Sequence, residues 1–172
     1  MSWSRKVKLA ELDRGPVRVR LEPDADARKA IARRLGLRSL PSLRGDITVK
    51  PWLDGAEIGG RFEAVVEQVC GVSLEPFEDG LDGDIELRAV PAGSPNLPSE
   101  SAGGELELDL DAPDPPDELD SDEIDLGEVL VEHLALAIDP FPRKPGAVFD
   151  YQPDPEVESP FAALRKLQDP KA

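Results

Sequence analysis

Residues Pro16 to Leu21 alternate in character, with Val17, Val19 and Leu21 set against Arg18 and Arg20. A period of two predicts a half-buried strand. The period then changes. Ala27, Ala30, Ile31 and Leu35 recur at spacings of three and four, Asp24 stands at an N-cap position, and Gly36 stands where a helix C-terminal glycine belongs. Arg28, Lys29, Arg33 and Arg34 lie opposite that stripe, so the pattern predicts a small basic amphipathic helix. Strand-like runs follow over Asp46–Lys50, Gly60–Cys70, Leu74–Phe77 and Asp84–Val90. Asp-Gly pairs at 54–55, 79–80 and 82–83 predict the turns of an antiparallel meander. The connections are too short for helices, which argues against parallel βαβ units there.

Residues 91–123 are rich in Pro, Ser, Gly, Asp and Glu, and Ala112–Asp117 cannot make regular structure. We expect a mobile acidic insertion at about 91–123 within one domain spanning 1–172. Inside it, the alternation of Glu105–Leu110 allows a short strand. Asp125 then caps a second helix, with Leu126, Val129, Leu130, Leu134 and Ile138 as its apolar stripe and Pro140 and Pro142 as its stop. Ser159-Pro160 opens a third helical run carrying Phe161, Leu164 and Leu167. The expected fold class is α+β: an antiparallel β-sheet packed by two or three helices, with a long acidic disordered loop.

Composition narrows the chemistry. The 172 residues include 18 Pro and 14 Gly, which suits long loops, and aromatics are only 5%, so a core must be built from Leu, Val, Ile and Ala. No apolar run approaches the ~20 residues of a membrane span. The start, Met1–Lys6, lacks the apolar core of a signal peptide. A cytoplasmic protein without membrane contact is expected. Charge is unevenly placed. Residues 1–61 hold 14 Lys and Arg against 8 Asp and Glu, whereas residues 62–172 hold 6 against 28. A basic front suits nucleic acid, and an acidic remainder suits a basic protein or simply keeps the chain soluble.

The candidate reactive groups are few. Cys70 is the single cysteine, which excludes an internal disulfide and a cysteine-based zinc cluster within one chain. Its charged sequence neighbours are Glu67, Glu75 and Glu78, the wrong sign for a reactive thiolate, so it reads as a buried structural thiol. His133 is the only histidine and has no second ligand at metal-binding spacing. Carboxylates are abundant, but they cluster in the segment least able to hold a fixed geometry, and no phosphate loop, nucleophile elbow or zinc-hydrolase signature occurs. No catalytic residue, cofactor or metal site is expected. The candidate partner-binding residues are Arg28, Arg33 and Arg34 on the basic helix, and Arg143 and Lys144 in Pro142-Arg-Lys-Pro145. For the helix the alternatives are RNA contact or a solvated face. For the turn they are partner contact or an internal salt bridge.

Four segments, in order, resemble one bacterial family. Gln68–Phe77 is similar to the Gln-x-Cys-x-x-x-Leu-Glu-Pro-Phe element of the YceD-like proteins. Asp125-Leu126-Gly127-Glu128 resembles their Asp-Leu-Gly-Glu helix start, Asp139–Gly146 the turn found in alphaproteobacterial members, and Ser159–Leu164 the closing Pro-Phe-x-x-Leu element. Other branches carry a Cys-x-x-Cys pair and further cysteines after the helix. Here Ser73 replaces the second cysteine and none follows Gly146, so such a metal site does not carry over. The resemblance implies a non-enzymatic ribosome-biogenesis role in accumulation of 23S rRNA. The partner would be a large-subunit precursor, met through rRNA, a basic ribosomal protein, or both. Two other readings remain: an acidic chaperone-like binder of a basic ribosomal protein without RNA contact, and a carboxylate-dependent hydrolase.

Overall fold

Alternation of apolar and polar residues is carried by three long strands that run consecutively and pair antiparallel. The computed structural model describes residues 3–97 and 114–149. Strand β1 (Lys6–Lys8) leads through a 3-10 turn (Leu9–Arg14) to β2 (Val17–Leu21) and helix α1 (Ala25–Arg34). Strands β3 (Ser39–Trp52), β4 (Gly55–Val69) and β5 (Pro76–Pro91) follow, then β6 (Asp117–Leu119), β7 (Glu123–Asp125) and helix α2 (Leu126–Ala137). The main sheet has the order β2-β3-β4-β5-β6, with only the β5–β6 pair parallel. A separate antiparallel ladder joins β1 to β7. The architecture is the α+β class expected.

One face of the main sheet is apolar. Ile47 and Val49 of β3, Ile58, Phe62 and Val66 of β4, and Ile85 and Ala89 of β5 are buried there. Helix α2 adds Leu126, Val129, Leu130 and Leu134 to the same core, along with Val131, which lies off the predicted stripe; Ile138 packs at the margin. Gly45 permits the close docking. A Cβ built on it would stand 2.9 Å from Leu130 Cδ1, so a side chain there would force Leu130 to shift.

Both helix starts form as their caps dictate. Asp24 Oδ1 accepts from the Ala27 amide at 2.8 Å. At the other end of α1, Gly36 has φ +68° and the Leu37 amide donates to the Ala32 carbonyl at 2.9 Å, the six-residue closure of a Schellman motif.

The turns are where sequence and structure part. No reversal occurs at 79–80 or 82–83. Leu74–Phe77 and Asp84–Val90 are not separate strands, because β5 runs unbroken from Pro76 to Pro91 and pairs with β4 throughout. Gly83 serves close approach instead. It lies opposite Phe62, and a Cβ on it would come 2.7 Å from Phe62 Cε1. The reversal between β4 and β5 falls at residues 70–75, where Leu74 takes φ +58° and the Cys70 amide donates to the Glu75 carbonyl at 2.9 Å. The first hairpin turns on Leu53-Asp54, one residue before the expected pair, with Leu53 at φ +51°. Strand β3 is also longer than expected and contains Pro41 and Pro51. Strand β2 covers it only from Gly45 to Val49, so both prolines sit where one edge of β3 is open and a missing amide is tolerated.

Of the stretch 91–123, residues 98–113 lie outside the described residues, including the strand expected at Glu105–Leu110. Its described flanks carry β6 and the start of β7. The helix expected after Ser159 also lies outside the described residues.

Candidate functional site

Asp-Leu-Gly-Glu at 125–128 is a structural motif, and each residue has its own task. Asp125 Oδ1 accepts from the Gly127 amide at 3.0 Å and from the Glu128 amide at 3.4 Å, capping α2. The same carboxylate takes the Ser4 hydroxyl at 2.5 Å and the Arg5 amide at 3.0 Å, which fastens the N-terminal strand. Burial pushes the Asp125 carboxyl up, but the Ser4 hydroxyl and the three amides outweigh it and hold it below the usual range. Leu126 is fully buried. Gly127 is small because a Cβ there would meet the Trp3 carbonyl oxygen at 3.1 Å and the Arg5 nitrogen at 3.3 Å. Glu128 receives two N–H donors from the Arg34 guanidinium.

Two further motifs meet where β4 ends. The Gly71 amide donates to the Pro142 carbonyl at 2.9 Å, Gln68 Nε2 donates to the Asp139 carbonyl at 3.2 Å, and Lys144 Nζ pairs with Glu75 Oε2 at 2.7 Å. Cys70 lies fully buried between them. Its sulfur accepts from the Val72 and Ser73 amides, each at 3.4 Å. The Ser73 hydroxyl, the Ser73 amide and the Lys144 amide lower the thiol to about 6, against the opposing effect of burial. The carboxylates nearby in sequence give the wrong impression here, since the fold brings Lys144 to the same corner. The thiol is nonetheless sealed from solvent. Among the described residues, no group of three or more His, Cys, Asp and Glu side chains is placed to hold a metal ion. His133 Nδ1 contacts the Val129 carbonyl at 2.8 Å, a contact within its own helix.

The five candidate cations do not form one site. Arg28 and Arg33 line a groove of about 620 Å3 between α1 and the start of β3. Arg34 is held by Glu128, and Lys144 by Glu75, so both serve internal ion pairs. Arg143 is exposed on the proline turn, apart from its neighbour's pairing. The groove also gathers Lys29 and Arg38. Arg38 follows the helix stop, so the helical pattern does not reach it, and the reversal at Gly36 returns it to the groove that Arg33 lines.

The solvent face of the sheet is divided by charge. Strands β2 and β3 expose Arg18, Arg20, Arg44 and Lys50, while β5 exposes Glu78, Asp82, Asp84 and Glu86. The rows interlock in places, as in Arg20–Asp46 at 3.9 Å and Arg61–Asp84 at 3.0 Å. Arg88 stacks over Trp52, 5.4 Å from the ring centroid.

These features define a charge-segregated α+β protein whose shared motifs build the fold. A family model described as "Large ribosomal RNA subunit accumulation protein YceD" matches residues 58–168, and the chain belongs to that family. The description ties the family to ribosome biogenesis. No curated protein and no solved structure matches the chain. Among the described residues, no helix is long and apolar enough to cross a membrane.

Proposed function

We propose that this protein is a non-enzymatic factor acting in the cytoplasm, where it supports 23S rRNA through large-subunit assembly by binding a precursor particle. Family membership over residues 58–168 carries this reading. The division of charge supports it, because a basic patch on an otherwise acidic molecule favours one oriented approach to a polyanion. Five carboxylates, Glu57, Asp84, Glu86, Asp114 and Asp117, line one cavity of about 900 Å3, but it lies open on the sheet face, and Lys50 and Arg88 share it, which favours a surface contact over a water-excluding hydrolase site. Sedimentation of a cell lysate tests the proposal. The protein should travel with large-subunit precursors, and its depletion should lower 23S rRNA relative to the small-subunit rRNA. A protein that stays at the top of the gradient while 23S rRNA is unchanged would defeat it.

A second reading draws on the acidic ladder of β5, which suits a basic ribosomal protein. Under that reading the purified protein binds a basic ribosomal protein and not RNA.

A further inference from the structure

On the reading that the protein acts on large-subunit rRNA, we propose that the groove between α1 and the start of β3 grips the RNA phosphate backbone. The groove is built from residues 25–41, ahead of the matched segment 58–168. It would therefore be a contact separate from the shared motifs.

Charge is the first argument. Four cations, Arg28, Lys29, Arg33 and Arg38, line the groove against two carboxylates, Asp26 beside Lys29 at 3.6 Å and Glu67 beside Arg38, so the groove keeps a net positive charge in a chain of net charge −16. Such a local excess on an acidic protein offers a polyanion one place to approach, and the acidic face of β5 repels phosphate elsewhere.

Donor geometry is the second argument. Three of the four cations are arginines, whose planar guanidinium carries five N–H donors in a fork matched to phosphate. Arg28 spends one N–H on the Pro23 carbonyl at 2.8 Å, which anchors the group and leaves its other donors available. Arg38 is steadied through Nε by Glu67 Oε1 at 3.1 Å. Among the described residues, Arg33 has no ion-pair partner. Anchored donors lose less side-chain freedom on binding. Lys29 and Arg33 stand one turn apart, about 6 Å along the helix axis. A row of cations fits a chain of successive phosphates better than it fits one isolated carboxylate. Below them the groove floor is apolar at Leu40, where a ribose or base face can rest.

The test uses the full chain and a labelled single-stranded RNA of about 20 nucleotides, with polyglutamate as the acidic polypeptide. Fluorescence anisotropy is read across a salt series. The wild type should bind the RNA with an affinity that falls steeply with salt. Arg28→Ala/Arg33→Ala should weaken binding roughly tenfold and flatten the logarithmic salt slope by about 1.4, at ~0.7 per phosphate contact. Arg33→Glu, at a residue with no ion-pair partner among the described residues, should weaken it as much without altering the fold. Arg18→Ala/Lys50→Ala on the sheet face should change little. The proposal fails if the groove variants bind as the wild type does, if the wild type does not bind RNA, or if polyglutamate displaces the RNA at comparable concentration. Gradient sedimentation of the same variants separates the two levels. If wild type and Arg33→Glu both travel with large-subunit precursors, the groove assignment falls and the ribosomal role stands. If the wild type does not travel with them, the ribosomal role falls.

Discussion

The two helices begin alike and end as different devices. Each is capped by an aspartate, Asp24 for α1 and Asp125 for α2, and they are 10 and 12 residues long. Yet α1 buries only Ile31 and Ala32, while α2 buries six residues from Leu126 to Leu134. Capping and periodicity therefore decide where a helix forms. What surrounds the apolar stripe decides its use. Around α2 the flanking positions are apolar too, so the helix becomes core. Around α1 they are cationic, so the helix covers the sheet edge and displays charge.

The comparison breaks most sharply at Leu130. It is fully buried and rests on Gly45, so Leu130→Asp puts a charge into the apolar core. We expect loss of the folded state, a cost of at least ~4 kcal/mol, seen as absent cooperative unfolding in denaturant. An unchanged melting temperature would show α2 to be a surface element.

A smaller effect is expected at the cap of α2. Asp125→Ala removes acceptors for the Gly127 and Glu128 amides and for Ser4 and Arg5. It should cost about 1–2 kcal/mol, measured by urea unfolding at pH 7. The folded carboxyl lies below its ordinary value, so its stabilisation is complete above the unfolded pKa of ~3.9 and is lost as pH falls through the folded value. The wild type should lose more stability than the alanine variant between pH 5 and about 3. Parallel losses would assign the capping energy to another group.

Between the helices, Arg34 and Glu128 form the one described link that joins α1 to α2 by charge. Both side chains remain partly exposed, so Arg34→Ala should cost less than about 1 kcal/mol, less still at high salt. A larger loss in thermal unfolding would mean that α1 is held mainly by this pair. The smallest expected effect is at Arg33. Arg33→Glu should leave stability within about 0.5 kcal/mol, with any consequence confined to RNA binding.

Much of this fold is written in short-range signals. Asp24, Gly36 and Asp125 mark helix ends by local hydrogen bonding, so they were legible. The alternation of Val17–Leu21 was equally plain. Gly80 and Gly83 misled because glycine has two uses, and only the position of Phe62 across the ladder shows that Gly83 makes room rather than a turn. The expected strand Asp46–Lys50 falls short of β3 for a related reason, since the tolerance of Pro41 and Pro51 within β3 depends on how far β2 extends along it. The basic groove was half legible. Arg28 and Arg33 stand on one predicted face, but Arg38 joins them only after the chain reverses. Nothing in the local pattern around Arg34 or Lys144 reveals partners 94 and 69 residues away.

The bond between Ser4 and Asp125 spans 121 residues. It has a consequence in time. Strand β1 leaves the ribosome well before its ladder partner β7 has been made. At ~5–20 residues per second, β1 waits about 6–24 s for it. During that interval the main sheet can close hairpin by hairpin, since β2 through β5 each pair with a neighbour in sequence. Clasping the N-terminus against the start of α2 is therefore a late step, and it carries the largest loop-closure cost in the described structure. Refolding of the full chain should show the Trp3 environment settling after the sheet, and Ser4→Ala should lengthen that last phase while sparing the earlier ones.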